Sequence, residues 1–249
     1  RSLASALSPG YGLGGVASAS GKRWSAAAGW FTDALDNDDG RSTERGRGFA
    51  GRATVLVLSN DTARLHLGLG GERRKFKANE VLRLSADPGS VLAPSIMASG
   101  ALRDIRRLNG WNAEAGLSLG PVLIQAQAMG LDASRGLLPD LRFAGQTVQA
   151  AWLVTGGRHA YARSTGNFAG PDLKKGAGAL ELALRYSRLD LRDGAFDRGI
   201  GRAMTGGVNW YLNRNVRLLA DYTDTQVRFG GAVADRSNKV GVARLQVAF

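Results

Sequence analysis

Apolar and polar positions alternate with a period of two along most of the chain, and the helical period of 3.6 is hard to find. RWSAAAGWF places Trp24, Ala26, Ala28 and Trp30 on one face of an extended strand. ARLHLGL sets Ala63, Leu65, Leu67 and Leu69 against Arg64, His66 and Gly68. WNAEAGLSL sets Trp111, Ala113, Ala115, Leu117 and Leu119 against Asn112, Glu114, Gly116 and Ser118. The same rule governs PVLIQAQAM, TVQAAWLV, ALELALRYS, GVNWYLN, VRLLADYTDT and the closing KVGVARLQVAF. Strands of about ten residues with one apolar and one polar face mark a transmembrane barrel; those of a soluble sandwich run to about 5 or 6. The pattern predicts an all-β fold of roughly 13 antiparallel strands, beginning at GLGGVASAS.

The connections between these strands alternate in length. Tight ones are expected at 59–61, 119–121 and 213–215, and long polar ones at 33–48, 132–142, DLRDGAFDRGIGR and GGAVADRSN. This is the layout of a barrel with short turns at its periplasmic end and longer loops outside. GGRHAYARSTGNFAGPDLKKG departs from it, being long where a short turn is expected. Single-chain bacterial barrels have even strand numbers and both termini on the periplasmic side. The first expected strand runs the same way as the last, so an odd number of strands is expected to precede it. Residues 1–249 are therefore expected to be one barrel domain, the C-terminal portion of a longer chain.

Composition narrows the classes of function. The chain has 249 residues and no cysteine, so neither a disulfide framework nor a thiolate zinc site is available. No apolar run approaches the ~18 residues of a membrane-crossing helix, which leaves a closed barrel as the membrane-spanning alternative. Thirty-three Lys and Arg against 21 Asp and Glu give a net charge of +12, which points to an anionic partner. Trp24, Trp30, Trp111, Trp152 and Trp210 lie on the apolar faces and not among the arginines, which argues against nucleic acid. His66 and His159 lie far apart in sequence and suggest no metal site. DNDDG at 36–40 lacks EF-hand spacing, LGLGG at 67–71 opens no helix, and no nucleophile elbow is present. No enzymatic function and no cofactor are expected.

Several stretches carry a family resemblance. GQTVQAAWLVTGG, GALELALRYSRLDL, GVNWYLNRNVRLLADYT and VARLQVAF resemble the phosphate-selective porins O and P. So do the opening RSLASALSPGYGLGGVAS with WSAAAGWF, and NEVLRLSADPG leading to GWNAEAGLSLGPVLIQAQ. The resemblance implies a bacterial outer-membrane barrel of about 16 strands, commonly trimeric, whose lumen binds anions with rows of Arg and Lys. It also implies that the terminal Phe249 sits outward in the interfacial aromatic girdle and that Arg244 faces the pore.

If apolar residues face lipid, alternation turns Arg52, Arg64, Arg83, Arg185, Arg217 and Arg244 inward, with Gln125, Gln127, Gln149, Asn209 and Gln246 between them. Arginine stays charged at any relevant pH and offers a planar fork suited to phosphate oxygens. These six are the expected anion-binding residues of a porin conducting phosphate, polyphosphate or chloride. The alternatives are a weakly selective pore, in which the arginines pair with Asp221, Glu114 and Glu181, and a structural barrel anchor in an envelope complex. Basic stretches at 45–48 and 72–77 are expected in external loops, against lipopolysaccharide or solvent.

Overall fold

The computed structural model describes residues 2–8, 13–32, 46–77, 80–87, 89, 94–173, 178–230 and 233–248. A short 3-10 turn at Leu3–Leu7 precedes β1 (Leu13–Ser20), β2 (Trp24–Thr32), β3 (Arg47–Ser59) and β4 (Ala63–Lys75). The two-residue strands β5 (Ser85–Ala86) and β6 (Met97–Ala98) follow, then β7 (Ile105–Leu119), β8 (Val122–Arg135) and β9 (Leu141–Leu153). The chain continues with β10 (His159–Ala162), β11 (Asn167–Pro171), β12 (Ala179–Asp193), β13 (Phe196–Tyr211), β14 (Val216–Arg228) and β15 (Arg236–Val247).

Eleven of these strands form one antiparallel meander in the order β1-β2-β3-β4-β7-β8-β9-β12-β13-β14-β15. Of the described strands, eleven make the wall, beside the roughly 13 strands expected from the pattern. β5–β6 and β10–β11 form separate two-stranded hairpins that stay off the wall. The wall strands are also longer than expected: β12 has 15 residues and β13 has 16. DLRDGAFDRGIGR, expected as a loop, is strand on both sides of a two-residue turn at 194–195, where Gly194 takes the positive φ of +54°. Residues 72–75 of the 72–77 stretch are likewise the end of β4 and not a free loop, and β3 already begins at Arg47. Residues 36–40 and Phe249 lie outside the described residues.

Large apolar side chains on the expected outward faces are solvent-exposed in the isolated chain, among them Trp24, Leu69, Trp111, Trp152, Leu184 and Trp210. A two-sheet soluble core would have buried them, whereas a barrel presents them to lipid. Toward the loop end the polarity of the alternation inverts. In β12, Leu180, Leu182 and Leu184 point outward, while Leu189 and Leu191 are buried inside with Arg188, Asp190 and Arg192 on the outer face. Leu131 and Ala133 of β8, Leu141 and Phe143 of β9 and Val227 of β14 follow the same inversion.

The inverted residues have a partner. The 76–104 connection and the 3-10 turn fold inward and bury Leu3, Leu7, Leu82, Leu84, Met97 and Leu102 against the inner wall. Each fully buried leucine contributes about 1.5–3 kcal/mol, so the plug is a substantial apolar core. Its fit depends on small wall residues: Gly145 of β9 lies against Ala4 and Leu7, and Gly201 of β13 against Leu3 and Met97. The Leu3 N–H donates to Ser187 Oγ of β12 at 3.2 Å and ties the turn to the wall.

Candidate functional site

At the short-turn end, the over-long 154–178 connection folds into the interior as the β10–β11 hairpin. Its two flanks meet opposite parts of the sheet. On one side it touches β3, β4 and β7, and on the other β12 and β13, so the sheet curls around it. The sequence feature that broke the turn-length pattern is therefore an element occupying the lumen.

Arg52 of β3 is the centre of the first flank. Its guanidinium donates twice to Glu114 Oε1 of β7, with Nε at 2.9 Å. It also donates to the Thr165 carbonyl at 2.8 Å, the Gly166 carbonyl at 3.0 Å and Asn167 Oδ1 at 2.8 Å, all at the hairpin tip. Glu114 Oε1 lies 3.1 Å from His66 Nε2, and the opposite ring nitrogen of His66 pairs with the Tyr161 hydroxyl at 2.7 Å. Phe168 packs edge-on against His66 and Tyr161. Arg64 donates to the His159 carbonyl at 3.0 Å.

The second flank is a buried polar cluster. His159 Nε2 meets Glu181 Oε2 of β12 at 2.7 Å, and Asn209 of β13 donates to Glu181 Oε1 at 2.6 Å. Both side chains of the His159–Glu181 pair are almost fully buried, where a polar group without a partner costs most. Each of the chain's two histidines therefore joins the hairpin to a wall carboxylate. Period-two reading turned His66 and Glu114 inward but had no means of finding the hairpin that unites them. Among the described residues, no three His, Cys, Asp or Glu are grouped to hold a metal ion.

The remaining expected arginines are distributed differently. Arg185 of β12 stands opposite Gln149 and Thr205, with Asp221 its charged neighbour, and makes no hydrogen bond among the described residues. It lines two interior cavities: one of about 190 Å³ with Gln125, Gln127 and Arg52, and one of about 320 Å³ with Asn209, Arg217 and Asp221. Gln149 donates to Gln125 at 2.8 Å along this wall. Arg217 donates to Gln246 of β15 at 3.0 and 2.7 Å and stacks over Tyr211. Arg244 is exposed opposite Leu219, on the same face as Arg217. Arg83 corrects the expectation. It is not on the wall but sits exposed in the 76–104 connection between buried Leu82 and Leu84, because those leucines anchor the plug.

Comparison with known proteins identifies this architecture. The family model described as "Phosphate-selective porin O and P" matches residues 2–249. The chain belongs to the phosphate-selective porin O and P family. Among solved structures, this porin resembles in-vitro folded OmpT, an outer-membrane protein of Vibrio cholerae, at 12% identity and TM-score 0.52, covering 98% of this chain and 67% of that one. A loop L8 deletion mutant of the same Vibrio cholerae protein matches at 13% identity and TM-score 0.51, over 93% and 61%. An anion-selective porin from Comamonas acidovorans aligns at 16% identity over 92% and 59%, with TM-score 0.48. At such identities the likeness is one of fold, the outer-membrane β-barrel. The porin spans about three-fifths of the length of the first two structures in this comparison, 59% and 61%. No curated protein matches it. Its place is the bacterial outer membrane, and its family and fold are those of a channel.

Proposed function

We propose that the protein conducts small anions, phosphate and polyphosphate among them, passively through a lumen narrowed by its β10–β11 hairpin. Residues 1–249 act in this reading as one barrel domain, assembled as a homotrimer. Arg185 carries the proposal: it stands on the inner wall among Gln125, Gln149 and Asn209 with its guanidinium free of hydrogen bonds among the described residues. Arg217 and Arg244 extend the cationic wall toward the short-turn end. Arg52 and Arg64 supply positive charge but hold the hairpin, so they shape the passage more than they bind its traffic. Spread, moderate cationic sites favour entry of anions without trapping them.

A second reading, a weakly selective diffusion pore, is favoured by the internal neutralisation of Arg52 by Glu114 and the closeness of Asp221 to Arg185. Reversal potential in a planar bilayer under a KCl gradient separates the two. Anion conduction predicts an anion-selective potential and chloride current blocked by added phosphate. Arg185→Gln should weaken that block about tenfold, the value of one charge-assisted hydrogen bond of about 1.5 kcal/mol. Near-zero selectivity without block would establish the diffusion pore instead.

A further inference from the structure

The outer surface of the wall changes character toward its loop side. On the short-turn side, the outward positions stay apolar up to the turns, as at Leu119, Val122, Trp152, Trp210 and Leu218. On the loop side, the apolar band ends abruptly in basic side chains. Arg47 of β3, Lys75 of β4 and Arg107 of β7 stand directly opposite one another on three adjacent strands, all exposed. Arg73 of β4 lies on the same face one position nearer the band, opposite Phe49 and Asn109. No ion pair joins any of these four to an acid among the described residues.

The same arrangement recurs across the wall. Arg188 of β12 stands directly opposite Arg202 of β13, flanked by Gln146 of β9 and Gln226 of β14. The next outward rung toward the membrane is Val148, Tyr186 and Met204. Asp190 is shared between Arg188 at 3.3 Å and Arg192 at 3.0 Å, and Asp224 of β14 stands on the same face opposite Met204. Arg188 Nε is buried and has no acceptor among the described residues. Cross-strand partners have Cβ atoms about 4.5–5.5 Å apart, and like charges placed there destabilise a sheet. A wall that twice sets basic residues opposite one another just beyond its apolar band is built for an external anion.

We infer that this rim is a binding collar for the phosphorylated headgroup of lipopolysaccharide in the outer leaflet. The height selects the ligand: the collar begins where the lipid-facing band stops, which is where headgroup phosphates lie, and the longer connections place this end outside. Arginine forks and glutamine amides suit phosphoryl oxygens bound from the side. The collar faces lipid and not the lumen, so it is independent of the conduction reading.

The test measures binding of bisphosphoryl lipid A to the detergent-solubilised protein, with dephosphorylated lipid A and inorganic phosphate as the comparison probes. The wild type should prefer the bisphosphoryl form, and inorganic phosphate should compete only weakly. At the usual contribution of each basic residue near an anionic surface, Arg47→Gln/Lys75→Gln/Arg107→Gln should lose on the order of 100-fold in affinity, and Arg188→Gln/Arg202→Gln roughly 30-fold. Lys22→Gln/Arg214→Gln, at the opposite end, should bind as the wild type does. Charge-keeping Arg→Lys replacements at the collar should retain binding. Equal affinity for both lipid forms overturns the inference, as do collar variants that bind normally or that change only the oligomeric state. Should the Gln variants fail to fold, wild-type binding that stays flat from low to high salt would overturn it equally.

Discussion

Arg52 and Arg185 both face the interior, yet their surroundings give them different work. Arg52 is saturated by Glu114 and the hairpin tip, whereas Arg185 has only neighbours that leave its donors open. Arg52→Gln should strip the guanidinium from three hairpin acceptors and leave Glu114 with His66 alone. About 1–3 kcal/mol of local stability should be lost, read as a noisier current and a lower denaturation midpoint with little change in phosphate block. Outside the membrane, Asp104 plays a similar tethering part. Its carboxylate accepts the Leu137 N–H at 2.6 Å, and this bond first, then Arg106 at 3.3 Å, holds its pKa below the ordinary carboxylate value. A depressed carboxylate stabilises above its ordinary pKa and loses that contribution as pH falls through the folded value. The 136–140 loop should therefore be held at neutral pH and open on acidification below about pH 4. Hydrogen exchange at Leu137 across that range checks it, and protection independent of pH would contradict the tether.

At the scale of elements, the β10–β11 hairpin lies inside the lumen and meets both sides of it. Its tip reaches the opposite wall at Gly166, whose φ is +63° and whose α-carbon lies against Thr54 and Ser25. A side chain there meets both strain and obstruction. Gly166→Ala should cost roughly 1–2 kcal/mol from the left-handed backbone alone and push the tip off β2 and β3. The expected result is a larger or more variable single-channel conductance; unchanged traces would mean that the hairpin does not limit flow. The hairpin was legible only as an anomaly, a long segment where a short turn was expected. Its role came from partners distant in sequence: Arg52, His66, Glu114 and Glu181 lie on four separate strands. The loop misassigned at DLRDGAFDRGIGR has a related cause. Beyond the lipid band the outward positions become charged, so the strand reads as polar although Leu189 and Leu191 remain buried inside.

For the whole molecule, the outer surface is layered: aromatic and apolar through the band, then cationic on the loop side. Lipid contact is a local property of each position, so alternation alone marked the all-β class, the outward faces, the tight turns near 59–61, 119–121 and 213–215 and the inward side of Arg52, Arg64, Arg185, Arg217 and Arg244. Most of the loops expected at 132–142 and DLRDGAFDRGIGR are strand instead. What alternation does not encode is what fills the inside. Leu82, Leu84, Met97 and the 3-10 turn have no period to mark them, and they reverse the sense of the alternation wherever they touch the wall. Arg83 was misplaced for that reason. Which arginines hold the hairpin and which stay open was likewise decided in three dimensions, because ion pairs such as Arg52–Glu114 join residues 62 positions apart. A strand's two faces are set by its own sequence, while the contents of its lumen are set by segments that arrive from elsewhere in the chain.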